Sequence, residues 1–275
     1  ITTAMLLLKG ETEYPIFLDK KEKIKVQGNA NNLDHLNIEG NIYNEEFSAF
    51  QATLQGPGIP SEKMLEAKAE EFIRQHNNSF VSIYLLDKYF VQKETPDFKK
   101  IKELIDVMAG VLQDKPSIGQ LTENITQIEK VNEGKTAPFF SLPNQKGEKV
   151  TRLDKFKDKY MLINFWASWC EECDSTNVEL RKINNKYKKN KEFGILGISF
   201  DINKEDWKNK IKQDTLTWEQ VCTFTGWNLE TAKQYAILKL PTNIFVSPGG
   251  RILARDIPTD SLSHEIEKAL KKEKK

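Results

Sequence analysis

Two nearly unbroken apolar runs, "YMLINFWA" (residues 160–167) and "FGILGISFD" (residues 193–201), constrain this chain more than any other feature. An amphipathic surface strand would alternate, so runs this short and this apolar read as strands covered on both faces. The stretch between them, from about residue 171 to 187, has helical periodicity. Strand, helix and strand in that order give a parallel pair with a crossover helix, the unit of an α/β layer structure. Helices are predicted at 204–213 and 229–235. The segments "TNIFVS" and "RILARDI" flank Pro248-Gly249-Gly250, a hairpin signal. A terminal helix over 261–271 spaces Ile266 and Leu270 to pack on the sheet. The expectation is an α/β domain whose mixed central sheet is flanked by helices.

The first half has a different texture. Residues 15–19, 23–28 and 35–40 read as short strands, the last two with alternating apolar positions. Phe47, Phe50 and Leu54 then take helical spacing, with Asn44 placed to cap. The break "GPGIPS" at 56–61 follows, and Ser61 can cap a second helix carrying Met64, Leu65, Ala69, Phe72 and Ile73 on one face and ending at Asn77-Asn78. Residues 80–90 read as a buried helix. Thr95 is the expected cap of the next one, with Pro96 in its first turn, and a further helix covers 118–131. The stretch of glycine, proline and polar residues from Asn132 onward marks a domain boundary near residues 131–137. The division is therefore a smaller α+β domain, residues 1–133, with strands followed by helices and a helical connector, and an α/β domain at 134–275.

With 275 residues, 39% hydrophobic and 29% charged, the chain has the balance of a folded globular protein. Net charge is +1, which gives no general reason to expect nucleic acid. The run "RKINNKYKKNK" (181–191) reads as the outer face of a helix, because its one aromatic residue, Tyr187, makes no interleaved pattern for base stacking. The early apolar segment "AMLLL" is far short of a membrane span and is interrupted by Lys9. The chain begins at Ile1 without a leader pattern, so the expectation is that an export signal has been removed or was never there.

There are three cysteines, too few for a disulfide framework. Cys170 and Cys173 follow the first buried strand, where Ser168 and Trp169 turn the chain into the next helix. Unpaired N–H groups and the positive end of the helix dipole favour a thiolate at Cys170. Cys173 lies one turn on, able to close a small disulfide ring and to resolve a mixed disulfide formed at Cys170. Zinc is disfavoured: a tetrahedral site needs four ligands, and Cys222, His35, His76 and His264 lack pair spacing. A copper-chaperone site suffers from the same shortage of histidine, and a purely structural bridge across so short a loop adds little stability. Thiol–disulfide exchange is the reading these residues favour. Cys222, in "WEQVCTFTGW", reads as a small buried hydrophobe, with a third redox thiol as the sharper alternative.

The segments "APFFSLPNQKGEKVTRLDKFKDKYMLINFWASWCEEC" and "LKLPTNIFVSPGGRIL" resemble thioredoxin-like proteins of the TlpA/ResA type, related to AhpC/TSA proteins; the resemblance covers residues 134–271. It implies a thioredoxin-like fold and a thiol–disulfide oxidoreductase working through a Cys-Glu-Glu-Cys pair. Cys170 would be the nucleophile and Cys173 the resolving thiol. Pro241, before Thr242, would be cis, with the Leu240 backbone holding an extended substrate; Trp166 and Trp169 would shape the site. No metal or organic cofactor is implied. Protein disulfides, such as those of apocytochromes c, are the implied substrates, an upstream membrane thiol reductant the implied donor, and the periplasm or cell envelope the implied location. Three positions depart from the pattern. Glu172 stands in place of a proline, Thr176 in place of an acid (Glu179 lies one helical turn further), and Asn164 where thioredoxin keeps a buried acid. A peroxiredoxin-like thiol peroxidase is a competing reading, but such enzymes need a threonine where Ala167 stands. A non-catalytic binding or scaffold protein is another. The first half resembles the domain that often precedes thioredoxin-like domains in cell-envelope proteins of Bacteroidetes-type bacteria, which points to binding or positioning.

Glu171 and Glu172 suit the first turn of a helix, yet their charges oppose a thiolate nearby. A like charge at a partly solvated site is worth on the order of 1 kcal/mol, or about one pKa unit. Cys170 is therefore expected above the ~7 of thioredoxin and far above the ~3.5 of strong disulfide oxidants, a pair that behaves as a reductant.

Overall fold

The computed structural model describes residues 1–8, 12–29, 32–54, 60–93 and 96–272. The chain divides into two compact units, Ile1–Glu123 and Asn124–Lys275.

In the first unit, hairpin β1 (Thr2–Leu8) and β2 (Thr12–Leu18) is followed by hairpin β3 (Lys25–Asn29) and β4 (Asn32–Glu39), both antiparallel. Helices α1 (Ile42–Ala52), α2 (Glu62–Gln75) and α3 (Phe80–Leu86) follow, the last continuing as a π-helical turn, Asp87–Val91. Then come α4 (Phe98–Val107) and α5 (Gly110–Gln113), and α6 (Pro116–Lys130) begins in this unit and ends in the second. The apolar segment at 4–8, too short for a membrane, is thus the body of β1. Ser61 caps α2 as its position suggested, its side chain accepting from the Met64 N–H. Asn44 does not cap α1. Asn41 does, accepting from the N–H groups of Tyr43 and Asn44. Asn44 is instead buried inside the first turn, its amide exchanging hydrogen bonds with the backbone N–H and C=O of Phe17 at 2.9 Å each. The Phe17 carbonyl also accepts from the Asn41 amide at 2.7 Å, so both asparagines at the helix start satisfy the backbone of buried Phe17. Asp97 caps α4, so Pro96 precedes the helix and does not open it; Thr95 and most of the 56–61 break lie outside the described residues. Phe17, Phe47, Phe50, Phe72 and Tyr84 meet edge-on or tilted, with Phe47 and Phe50 stacked, in the core of this unit.

The second unit is built on a five-stranded mixed sheet of β7 (Tyr160–Trp166), β8 (Phe193–Ser199), β9 (Glu219–Cys222), β10 (Thr242–Val246) and β11 (Ile252–Arg255). Their order across the sheet is β11-β10-β7-β8-β9. A short ribbon, β5 (Leu142–Pro143) with β6 (Lys149–Val150), and helix α7 (Arg152–Lys155) lead into β7. Helices α8 (Glu172–Tyr187), α9 (Lys204–Gln213), α10 (Glu230–Gln234) and α11 (Leu262–Lys272) join or follow the strands. β7, β8 and β9 run parallel, while β10 is antiparallel to both neighbours. Every residue of β7 is buried, as its unbroken apolar run requires. Leu262 and Ile266 of α11 are fully buried and Leu270 nearly so.

This topology places one edge of the sheet in view of the chemistry. The C-terminal ends of β7, β8 and β9 and the start of antiparallel β10 share it, since Thr242 pairs with Phe165 and Trp166 with Ser199.

Candidate redox site

Cys170 and Cys173 form a disulfide, with Cα atoms 5.3 Å apart. β7 ends at Trp166, and residues 167–169 turn the chain, the Cys170 N–H donating to the Ala167 carbonyl. The helix begins at Glu172, one residue later than the sequence suggested, and Cys170 precedes it. The helical N–H groups still reach the sulfur: the Cys173 N–H lies 3.2 Å from Cys170 Sγ. A donor aimed at that atom stabilises negative charge there. Glu171 occupies the cap position with no capping bond from its side chain, and Glu171 and Glu172 are both exposed. Cys170 itself is only 4% exposed and Cys173 is buried. Trp169 beside it is 54% exposed and is the open flank of the site.

The turn is fastened by a residue the sequence reading passed over. Asp201, just beyond β8, is buried and accepts from Ser168 N–H (3.2 Å to each oxygen), from Ser168 Oγ (2.5 Å) and from Ser199 Oγ (2.6 Å). A buried carboxylate persists only when so satisfied. The signal was present: an acid directly after an unbroken apolar strand must find partners at the strand end.

Leu240–Pro241 is a cis peptide, as the resemblance implied. It immediately precedes β10, and therefore lies on the same edge as the end of β7. Leu240 and Pro241 are half-buried. Thr242 is buried, its hydroxyl donating to the Lys239 carbonyl at 2.9 Å. Trp166 is wholly buried and donates its indole N–H to Gln220 Oε1 at 3.1 Å. Gly197 on β8 makes room for that contact: a Cβ there would sit 2.0 Å from Gln220 Oε1. Trp166 thus supports the site from beneath, while Trp169 faces outward.

The departures from the family pattern also find places. Asn164 is buried on β7, between Asn243 and Gly197 of the neighbouring strands, and its amide has no protein hydrogen-bond partner. The Thr176 hydroxyl lies 3.2 Å from that of Thr259. Glu179 pairs along its own helix with Lys182 at 3.0 Å. Asp174 is held by Lys210 of α9 at 2.6 Å, and Lys210 also reaches Asp214 at 3.4 Å. Burial opposes the charge on Lys210, but the hydrogen bond to Asp174 and the charges of Asp214 and Asp174 outweigh it and raise its pKa. Cys222 is a buried free thiol, paired with Ser199 across the sheet, and burial pushes its pKa up. Among the described residues, no three His, Cys, Asp or Glu side chains gather where they could hold a metal ion, and no helix is long and apolar enough to cross a membrane.

A parallel β7–α8–β8 unit, an antiparallel β10–β11 hairpin, a Cys-x-x-Cys disulfide at the strand end and a cis proline on the same edge define the thioredoxin-fold class of thiol–disulfide oxidoreductases. The AhpC/TSA family matches residues 134–255. The thiol-disulfide oxidoreductase ResA of Bacillus thuringiensis is 32% identical over 149 residues, covering 54% of this chain and 82% of that protein. The C-terminal domain of a proposed thiol-disulfide oxidoreductase from Bacteroides thetaiotaomicron is 55% identical, covering 52% of this chain and 99% of that one, with a TM-score of 0.50. A thioredoxin-like protein from Bacteroides caccae, 16% identical with a TM-score of 0.57 over 76% of this chain and 78% of its own, shares the fold. The chain belongs to the ResA family of thiol–disulfide oxidoreductases.

Proposed function

We propose that this protein reduces disulfides in polypeptide substrates outside the cytoplasm. The observation that carries the reading is the Cys173 N–H directed at Cys170 Sγ, at the end of β7 and on the edge that also bears the cis Leu240–Pro241 bond. In the reduced protein Cys170 is the thiolate. It attacks one sulfur of a substrate disulfide, forming a mixed disulfide and releasing the other substrate sulfur as a thiolate. Cys173, deprotonated, then attacks Cys170 Sγ, closes the disulfide seen here and releases the second substrate thiolate. Two electrons pass to the substrate and two protons restore its thiols. The cycle therefore needs a dithiol donor to reopen Cys170–Cys173, the role of an upstream membrane thiol reductant. Leu240 and Pro241 hold the substrate backbone, Thr242 fixes that bend, and Trp169 borders the approach, with Trp166 supporting it and Glu171 and Glu172 setting its charge. Cytochrome c precursors are one substrate class consistent with the resemblance.

Residues 134–275 carry all of this chemistry, and residues 1–133 serve binding or positioning; the family match beginning at residue 134 supports the division. The test is reduction of insulin disulfides by the protein in the presence of dithiothreitol. Activity that is lost in Cys170→Ala supports the reading. An inert wild type, or a fully active Cys170→Ala, sinks it.

A further inference from the structure

Next to the redox turn stand three large apolar side chains held out in water: Trp169, Ile202 at 74% exposed and Trp227 at 48%. They are joined through anchored neighbours. Asp201 binds Ser168, so Ile202, the next residue, leaves β8 beside the turn that ends in Trp169 and Cys170. On its other side Asn203 caps α9, accepting from the Glu205 and Asp206 N–H groups. Ile202 thus stands between two hydrogen-bonded residues, with its side chain outward. Gly226 closes against it, since a Cβ at that glycine would lie 3.0 Å from Ile202 Cγ2. Trp227 follows, its ring edge-on to buried Phe200 at 4.8 Å between centroids. Exposed apolar side chains that are contiguous, and not scattered singly, mark a contact surface.

We infer that Ile202 and Trp227 form a shelf for the polypeptide that carries the target disulfide, receiving one large apolar side chain close in sequence to its cysteine. This rests on the disulfide-reduction reading above. The occupant follows from continuity with the exchange site. Cys170 is nearly buried, so its partner sulfur must be brought to it, and the shelf adjoins the turn on which that sulfur arrives. A polypeptide reaches both at once, whereas a small disulfide reaches the sulfur alone. The exposed carboxylates of Glu171 and Glu172 disfavour an acidic segment there, so the flank is apolar with neutral or basic neighbours.

The test uses the reduced full chain and peptides whose single cysteine is disulfide-linked to a small thiol. Trp or Ser is placed at each of the positions flanking that cysteine. In wild type, Trp at a favoured position should raise kcat/KM by about tenfold over Ser, the worth of one largely buried apolar side chain. In Ile202→Ser/Trp227→Ser the Trp/Ser ratio should fall to near one. Because Trp227 touches Phe200, Ile202→Ser alone is measured as well and should lower the same ratio. A ratio near one in wild type at every position, or one that survives in the variants, overturns the shelf. Turnover of a small aromatic disulfide by wild type separates the two failures: turnover without a Trp preference removes only the shelf, and no turnover of any disulfide removes the oxidoreductase reading with it.

Discussion

Asp201→Ala tests whether one buried carboxylate holds the redox turn. The substitution leaves three donors without their acceptor: the Ser168 N–H, the Ser168 hydroxyl and the Ser199 hydroxyl. A hydroxyl can rotate towards another acceptor, so each loses about 1 kcal/mol. The backbone N–H cannot turn, and an unpaired buried donor costs roughly 1–3 kcal/mol. Removing the carboxylate also removes its own desolvation penalty, which offsets part of the sum. The expected net loss is about 3 kcal/mol. Asp201→Asn keeps the shape and one acceptor oxygen and should cost about half as much, though its amide hydrogens meet donors. All five tryptophans lie in the second unit, at positions 166, 169, 207, 218 and 227, so urea unfolding followed by tryptophan fluorescence reports on that unit alone. A loss below about 1 kcal/mol for Asp201→Ala would show that the turn holds without the carboxylate, and the account of Ser168 would be wrong.

Cys173→Ser should accumulate mixed disulfides with substrate polypeptides, visible on non-reducing gels; more adducts at Cys173 in Cys170→Ser would reverse the assigned roles. Gly197→Ala should push Gln220 away from the Trp166 indole and cost roughly 1–3 kcal/mol, measured by the same fluorescence transition; a neutral outcome would mean that Gln220 has another place to go. The pKa of Lys210 is raised above its unfolded value, so its contribution is fully present below that value, ~10.4, and is lost as pH climbs through the folded one. Wild type should therefore lose stability at strongly alkaline pH more steeply than Lys210→Met, and parallel profiles would sink that assignment.

The second unit was legible because its signals are local and redundant. The unbroken run at 160–167 can only be a covered strand, and a Cys-x-x-Cys after it has few uses. What escaped was set by contacts distant in sequence. β9 is only four residues long, and nothing local distinguishes it from a loop; pairing with β8 makes it a strand. Asn44 has the chemistry of a helix cap and stands close to the helix start, but the buried N–H and C=O of Phe17 compete for its amide, and a competitor 27 residues away cannot be read from the local pattern. Asp201 and Gln220 were missed for the same reason: their partners, Ser168 and Trp166, come together only once the sheet has formed.

The helix start matters most for the two glutamates between the sulfurs. With α8 beginning at Glu172, Cys170 lies outside the helix, and what favours its thiolate is one identifiable donor, the Cys173 N–H at 3.2 Å. Glu171 and Glu172 oppose it from exposed positions, where water and salt screen them. Asp174, the third acid of this first turn, is largely neutralised by Lys210 at 2.6 Å. The remaining opposition is worth no more than about 1 kcal/mol, or roughly a fivefold change in thiolate population at a given pH. Glu171→Gln/Glu172→Gln should therefore move the midpoint of Cys170 alkylation to lower pH by up to about one unit, and should move it less at high ionic strength. Since a better stabilised thiolate favours the reduced form, the same variant should be the weaker reductant against glutathione. An unchanged midpoint at low salt would leave the N–H donor in sole control of the sulfur and would remove the electrostatic basis for reading this pair as a reductant.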